Sequence, residues 1–175
     1  MHRLGLASIA VILSAAVLPA QRPVSLSLAA GISSPNGDLD RAADVGWHAL
    51  AAVNVSSLML PLGLRLDAAY NSFGTSGDPS ADELRVLSLT GNLTYRLPMT
   101  NSPLSPYLIG GMGAYRTDCD SDAGCDGDVS FGWNAGLGTK LYLLGFRSFL
   151  EARYQSTTRG DVNVKYFPIT FGITF

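Results

Sequence analysis

The last nine residues, Phe167–Phe175, place a large apolar side chain at every odd position and a smaller residue at every even one. Because neighbouring side chains of a strand point to opposite faces, this segment is predicted to be a strand with one apolar face. The same period-2 pattern recurs along the chain and predicts eight strands, at about residues 23–33, 46–56, 63–72, 85–97, 107–116, 129–142, 149–157 and 164–175. Each is near the roughly 9–11 residues that cross a bilayer at a tilt.

The two faces of these strands differ in composition. One face carries mostly Leu, Val, Ala and aromatic residues, whereas the other is rich in Ser, Thr, Asn and Gly and has few charges. A soluble barrel of the lipocalin type would place its apolar face inside and would need Lys and Glu outside. The polar face suits a narrow lumen better, so we predict that the apolar face meets lipid. The fifth strand is ambiguous, because both faces of residues 107–112 are apolar or small.

Aromatic residues gather near the predicted strand ends, in two bands. Such bands are typical of the girdles that membrane barrels place at the two interfaces. The band toward the long connections comprises Trp47, Tyr70, Tyr115, Phe131, Trp133 and Tyr166, and the band toward the short ones comprises Tyr95, Tyr107, Phe149 and Phe175.

The connections between strands alternate in character. Residues 34–45, 73–84, 117–128 and 158–163 are polar and rich in Asp, Gly and Ser, whereas residues 57–62, 98–106 and 143–148 are shorter or nearly uncharged. Small membrane barrels have long extracellular loops and tight periplasmic turns. The sequence therefore predicts an all-β, eight-stranded antiparallel up-and-down transmembrane barrel with both ends in the periplasm.

The first 20 residues have the features of a cleavable signal peptide. Arg3 precedes an uncharged apolar run over residues 4–18, and Ala20 offers a small residue before the cut. The alternative is a retained N-terminal helix. The signal peptide is predicted to be residues 1–20, and residues 21–175 are predicted to form one barrel domain.

Composition favours a membrane barrel over other classes. The chain is 47% hydrophobic and only 15% charged, which is low for a surface that faces water. After the N-terminal segment no stretch approaches the roughly 18 apolar residues of a helical span. A barrel reconciles the two facts because its apolar residues alternate along strands. The formal net charge of −2 argues against a nucleic-acid partner, which needs a basic patch.

The closing strand and the Gly/aromatic segment Pro106–Tyr115 resemble those of the eight-stranded OmpA/OmpX-type outer-membrane barrels. The resemblance covers essentially the whole mature chain. It implies a bacterial outer-membrane location reached through the periplasm, lipid and lipopolysaccharide as surroundings, and a monomer. It also implies that the barrel-assembly machinery reads the closing strand, with Phe167, Phe171 and Phe175 as the signal. The fold hosts adhesion, structural, transport and enzymatic members, so it specifies activity poorly.

Six charged residues are predicted to lie in the periplasmic half of the lumen: Arg65, Asp67, Arg96, Lys140, Glu151 and Arg153. Isolated charges in that place would be costly, so we expect them to pair with one another. An eight-stranded barrel is barely wide enough for its own side chains, which predicts a packed polar plug. The alternative is a narrow anion-tolerant path, because four positive residues face two negative ones.

Two cysteines, Cys119 and Cys125, lie in the third predicted loop. In an exported protein such a pair is expected to be oxidised, which predicts a disulfide.

The same loop places Asp118, Asp120 and Asp122 at the spacing that begins a calcium loop. Ala123 and Val129 stand where such a loop needs a turn glycine and a bidentate glutamate. Two interpretations follow, an acidic solvated loop and a weak Ca²⁺ site.

His48 is the only histidine after the signal peptide and is expected on the lumen side near the outer rim. Asp78 and Ser80 lie in the next outer loop, so two interpretations follow for His48: a His/Asp/Ser grouping at the mouth, or a hydrogen-bonded residue of the wall. We expect no catalytic residues and no cofactor. Three hypotheses for function follow: a structural or surface-interaction barrel, a small transport barrel for hydrophobic or anionic solutes, and an outer-leaflet lipid-modifying enzyme.

Overall fold

The computed structural model describes residues 24–36, 44–57, 59–74, 84–99, 104–119, 129–143, 145–159 and 162–175. They form eight strands: β1 Val24–Asn36, β2 Gly46–Ser56, β3 Leu62–Phe73, β4 Leu84–Arg96, β5 Ser105–Cys119, β6 Val129–Leu143, β7 Phe146–Arg159 and β8 Val162–Thr174. Each strand pairs antiparallel with the next, and β8 pairs with β1 to close the barrel. The predicted eight-stranded up-and-down barrel is confirmed. No helix in these ranges is long and apolar enough to span a membrane.

The barrel has two distinct ends. We call the end that holds Val24, Phe175 and the three short connections the turn end, and the opposite end the loop end. At the turn end, Leu143 pairs with Phe146, and Gly145 between them has a φ of 85°. Glycine adopts this conformation without steric cost, which fits a two-residue hairpin.

The alternation of the sequence appears as two faces of the wall. Leu64 and Leu66 on β3 are 62% and 52% exposed on the outside, while Arg65 and Asp67 between them are buried in the lumen. The outer surface is therefore an apolar band that only lipid can cover favourably, and the polar residues fill the interior.

β5 follows the same rule once its glycines are considered. Tyr107, Ile109 and Tyr115 point inward, and Leu108 and Met112 point to lipid. The sequence leaves this strand ambiguous because the inner positions between Ile109 and Tyr115 are glycines, which show no polarity.

Four of the ten aromatic residues predicted to form the girdles lie elsewhere. Tyr115 and Tyr166 have no exposed surface, and Tyr107 and Phe149 are 4% and 3% exposed. All four point into the lumen, because each lies on the inner parity of its strand. The prediction that they are girdle residues is wrong. Trp47 and Phe131 are among those that do face outward, and Trp47 packs on Tyr70 with ring centroids 5.6 Å apart.

The β7–β8 ladder is interrupted near mid-strand. Ala152 pairs with Ile169 and Gln155 with Tyr166, but no pairing joins the residues between them. Pro168 lies in this gap and has no N–H to donate to β7. On its other side it remains opposite Ser33 of β1. The register is the same on both sides of the gap, so the wall stays closed.

Candidate functional site in the barrel lumen

Two glycines on β6 leave room for large side chains inside the barrel. A Cβ added to Gly138 would lie 2.5 Å from Cζ of Tyr107, and one added to Gly136 would lie 2.9 Å from Cγ of Arg153. Because β5, β6 and β7 are neighbours, Gly138 lets the Tyr107 ring of β5 extend over β6 into the lumen. At Gly136 the backbone of β7 approaches closely as well, with Ala152 O 2.3 Å from the position of a Cβ.

Four buried ions form a closed ring across the lumen. Arg65 Nε lies 2.6 Å from Asp67 Oδ1 and Arg65 Nη1 lies 3.1 Å from Glu151 Oε2. Arg153 Nη1 lies 2.7 Å from Asp67 Oδ2 and Arg153 Nε lies 2.5 Å from Glu151 Oε1. Each arginine thus bridges both carboxylates, and the ring carries no net charge. We call these four residues the lumen ring.

The order of charges along the strands explains the ring. Arg65 and Asp67 lie two residues apart on β3, and Glu151 and Arg153 lie two residues apart on β7. β3 and β7 are four strands apart in an eight-stranded barrel, so they face each other, and both run toward the loop end. The reversed charge order therefore sets each cation opposite an anion.

Neighbouring uncharged side chains form further contacts with the lumen ring. Tyr107 donates its hydroxyl to Glu151 Oε2 at 2.5 Å, and Asn92 donates Nδ2 to Asp67 Oδ2 at 3.1 Å. Asn134 donates to Asn92 Oδ1 at 2.8 Å. The Phe149 ring lies 5.0 Å from the Arg65 guanidinium carbon, within the range of a cation–π contact. Buried charges that keep several hydrogen bonds of this kind are tolerated in a low-dielectric interior.

A second polar network includes His48. Its Nδ1 lies 3.1 Å from Ser33 Oγ and its Nε2 lies 2.8 Å from Thr170 Oγ1. Ser33 donates to Asn71 Oδ1 at 2.9 Å. Both ring nitrogens are therefore bound to hydroxyls of the wall, and His48 is 2% exposed. Asp78 and Ser80 lie outside the described residues, so their predicted grouping with His48 has no structural counterpart here.

The loop-end part of the lumen is filled by apolar residues. Phe73, Val86, Tyr115, Val164 and Tyr166 form one buried cluster, and Leu84 packs against it. Phe73 and Tyr166 meet edge to face with ring centroids 5.5 Å apart, and Tyr166 donates to Gln155 Oε1 at 2.8 Å. An apolar layer at the loop end and a charged layer toward the turn end thus occupy the lumen in series.

Arg96 and Lys140 lie outside the lumen ring. Both are exposed at the turn end, and Lys140 Nζ lies 5.8 Å from the centre of the Tyr107 ring. They line a recess of about 20 Å³, which is room for roughly one water molecule. Of the six predicted lumen charges, the structure therefore brings four together and leaves these two at the mouth, contrary to the expectation that all would pair. Arg96 is the last residue of β4, and Lys140 lies beyond Gly138, the β6 residue opposite Glu151, so both are nearer the turn end than the carboxylates.

Most of the predicted third-loop site lies outside the described residues. This holds for Asp120, Asp122 and Cys125, and hence for the predicted disulfide with Cys119. Asp118 is described, and its Oδ1 lies 3.2 Å from Arg116 Nε in an exposed pair. The described residues contain no cluster of three or more metal-ligating side chains.

The three phenylalanines of the predicted assembly signal are on the outer face. Phe167, Phe171 and Phe175 are 39%, 45% and 55% exposed. Phe175 exchanges two backbone hydrogen bonds with Leu26 of β1, at 2.8 and 3.2 Å, so the closing strand is paired to its last residue.

The sequence model described as the outer membrane protein beta-barrel domain matches residues 5–175. The chain belongs to this family. Its location is accordingly the bacterial outer membrane, and its lipid-facing surface is the apolar band described above.

Solved structures of other outer-membrane barrels share the fold. Neisserial surface protein A is 17% identical with a TM-score of 0.64, covering 87% of this chain and 96% of that one. Ail, the attachment invasion locus protein of Yersinia pestis, is 17% identical with a TM-score of 0.53, covering 87% and 97%. The outer membrane enzyme PagL is 14% identical with a TM-score of 0.53, covering 86% and 98%. No curated protein matches the chain.

The sequence pattern placed Asn92 and Asn134 on the polar face predicted to be the lumen, but it assigned Tyr107 and Phe149, the other uncharged partners of the ring, to an aromatic girdle. The available signal was strand parity. Phe149 has the parity of Glu151 and Arg153, and so belongs inside with them. At Gly138 of β6, the distances show that the Tyr107 ring occupies the space that a Cβ would need.

Proposed function

We propose that this outer-membrane barrel is a structural or surface-interaction protein whose lumen is closed. The observation that carries the proposal is the lumen ring, which ties opposite walls of the barrel at a single level. A solute passing between the ends would have to displace Arg65 and Arg153 from carboxylates that both of them contact. Such buried, multiply bonded ions separate only at large cost.

The apolar cluster at the loop end supports the same proposal. A solute would meet Phe73, Tyr115 and Tyr166, which have no exposed surface, before it reached the ring. An eight-stranded barrel has an interior only wide enough for its own side chains, so two filled layers leave no continuous passage.

The regions available for interaction are then the connections at the loop end, which we place outside the cell, with the turn end in the periplasm. These connections hold most of the acidic residues of the chain, including Asp38, Asp78 and Asp120. An acidic rim suits contact with cationic surfaces, or with lipopolysaccharide phosphates through bridging divalent cations. The further proposed partners are the barrel-assembly machinery, through Phe167, Phe171 and Phe175, and outer-membrane lipid, with the protein as a monomer that binds no nucleic acid.

Two of the structural relatives bear on this role. Neisserial surface protein A is a surface protein, and Ail carries attachment and invasion in its name. PagL is an enzyme on the same fold. At 14–17% identity, these similarities show only that the fold occurs in surface proteins and in an enzyme. The proposal therefore rests on the filled lumen.

Solute uptake into proteoliposomes tests the proposal. Wild-type protein is expected to admit arabinose no faster than protein-free liposomes. The comparison is a variant that hollows both layers without changing net charge, by alanine substitution of three ring-layer residues and three residues of the apolar cluster: Arg65→Ala/Tyr107→Ala/Glu151→Ala/Phe73→Ala/Tyr115→Ala/Tyr166→Ala. It should admit the sugar once circular dichroism shows a β-barrel. Uptake by wild type at the rate of the variant would replace the closed barrel with the transport hypothesis.

A further inference from the structure

Three cationic side chains gather at the turn end of the lumen. Arg96, Lys140 and Arg147 have the inner parity of β4, β6 and β7 and lie near that end, and all three are exposed. None of them forms an ion pair with a carboxylate of the described residues. We call these three residues the turn-end mouth.

The turn-end mouth has no carboxylate side chain to balance it. The short connections at residues 57–61, 97–104 and 144–145 contain no Asp or Glu. Asp67 and Glu151 are the nearest acids on the inner face, and each is already bound by both Arg65 and Arg153. A cluster of like charges of this kind attracts an anion.

Hydroxyl groups accompany the cations. Arg96 and Lys140 line the recess together with Ser56, Thr94 and Ser105. Thr94 donates to Gly63 O at 3.2 Å, which leaves the hydroxyls of the two serines as the donors of the recess. The Tyr107 ring supports the Lys140 ammonium at 5.8 Å. A guanidinium, an ammonium and two hydroxyls within one small recess are the donor set that binds phosphate oxygens.

We propose that the turn-end mouth binds a phosphate-type oxyanion. One oxygen enters the recess between Arg96 and Lys140, and the remaining oxygens stay at the opening near Arg147. The recess is too small to hold more than one such oxygen. The phosphate can come from two sources, free inorganic phosphate on the periplasmic side or the headgroup of an inner-leaflet phospholipid. This site is additional to the closed barrel proposed above, and its two phosphate sources rest on the proposed placement of the turn end in the periplasm.

Calorimetry with inorganic phosphate tests the first source. The wild-type protein in a non-ionic maltoside detergent is expected to bind one phosphate saturably with a millimolar dissociation constant. The double variant Arg96→Gln/Lys140→Gln should bind at least about tenfold more weakly. Arg116→Gln is the matched control, because Arg116 is an exposed arginine on the outer face near the loop end, and its ion pair within the described part of the chain is with Asp118. It should bind as the wild type does.

Native mass spectrometry tests the second source. Protein supplied with equal amounts of phosphatidylglycerol and phosphatidylcholine should retain the anionic lipid preferentially, and the double variant should lose the preference. Binding of phosphate alone assigns the site to the free ion, and retention of lipid alone assigns it to the headgroup. Either result supports the proposal. The absence of both in wild type, or binding that survives unchanged in a correctly folded double variant, overturns it.

Discussion

Tyr107 on β5 and Glu151 on β7 are joined by a 2.5 Å hydrogen bond that passes over the intervening strand β6. The bond exists because β6 presents Gly138 at this level, where any Cβ would overlap the tyrosine ring. It links an uncharged wall residue to the lumen ring and occupies an oxygen of Glu151 that also contacts Arg65. The contribution of this hydrogen bond and of the lumen ring to the stability of the barrel can be measured with single substitutions.

Removing the Tyr107 hydroxyl should weaken the barrel without opening it. The variant Tyr107→Phe keeps the ring in place and deletes one hydrogen bond to a buried carboxylate. The free energy of unfolding in urea should fall by about 1.5–3 kcal/mol. Tyr142→Phe is the control, since Tyr142 is 74% exposed on the wall and should change little. Equal midpoints for all three proteins would remove Tyr107 from the network.

Breaking the lumen ring at one member should cost more than removing a complete pair. Asp67→Asn leaves Arg65 and Arg153 short of a counter-charge and should lower the free energy of unfolding by about 3–5 kcal/mol. The charge-balanced double variant Arg65→Met/Asp67→Leu should be less destabilised than the single variant, because Arg153 and Glu151 still pair. Additive losses from Arg65→Met and Asp67→Leu would show that the two residues do not interact.

Replacing Gly138 of β6 by alanine should destabilise the lumen ring and its partners, although Gly138 itself forms none of their side-chain contacts. In Gly138→Ala the new Cβ would lie 2.6 Å from the Tyr107 hydroxyl oxygen, so the tyrosine must move away. The expected loss is about 1–3 kcal/mol in the same urea experiment. Gly91→Ala provides the matched control, because a Cβ there meets no atom within 4 Å. Similar effects from the two substitutions would contradict the steric account.

The hydrogen bonds of His48 fix its tautomer. The Ser33 hydroxyl donates to Asn71 Oδ1, which can only accept, so Ser33 Oγ must accept from His48 Nδ1–H. Nε2 is then the acceptor for Thr170. Nitrogen-15 chemical shifts of the imidazole in detergent micelles at neutral pH should show Nδ1 protonated and Nε2 bare. The opposite pattern would mean that the Ser33–Asn71 bond is not formed.

Much of the fold could be predicted because strand alternation is a local property. In each strand, the alternation of apolar and polar residues shows which side chains face lipid, as in the Leu64–Leu66 segment. Eight such strands in sequence predict a closed barrel. β5 was the exception, since its glycines and large apolar residues give both faces similar polarity. Tyr107 and Tyr115 could be placed only when the positions of their neighbours on β4 and β6 were known.

All four members of the lumen ring were among the six charges predicted for the lumen, but the sequence did not separate them from Arg96 and Lys140. The pairs Arg65/Asp67 and Glu151/Arg153 have reversed charge order on two strands that run in the same direction. This order predicts that each cation lies opposite an anion. The separation of Arg96 and Lys140 from the ring depends on how far each strand extends past the level of the carboxylates. That is a matter of barrel stagger, which is set by pairing around the whole barrel.

Ion conductance across a planar lipid bilayer tests the central claim most directly. Wild-type protein, with Arg65 and Arg153 held between Asp67 and Glu151, should give no stable conducting state at moderate voltages. The variant Arg65→Ala/Tyr107→Ala/Glu151→Ala/Phe73→Ala/Tyr115→Ala/Tyr166→Ala, which hollows both the ring and the apolar cluster, should conduct under the same conditions. Steady, voltage-independent channels from the wild-type protein would contradict a closed lumen.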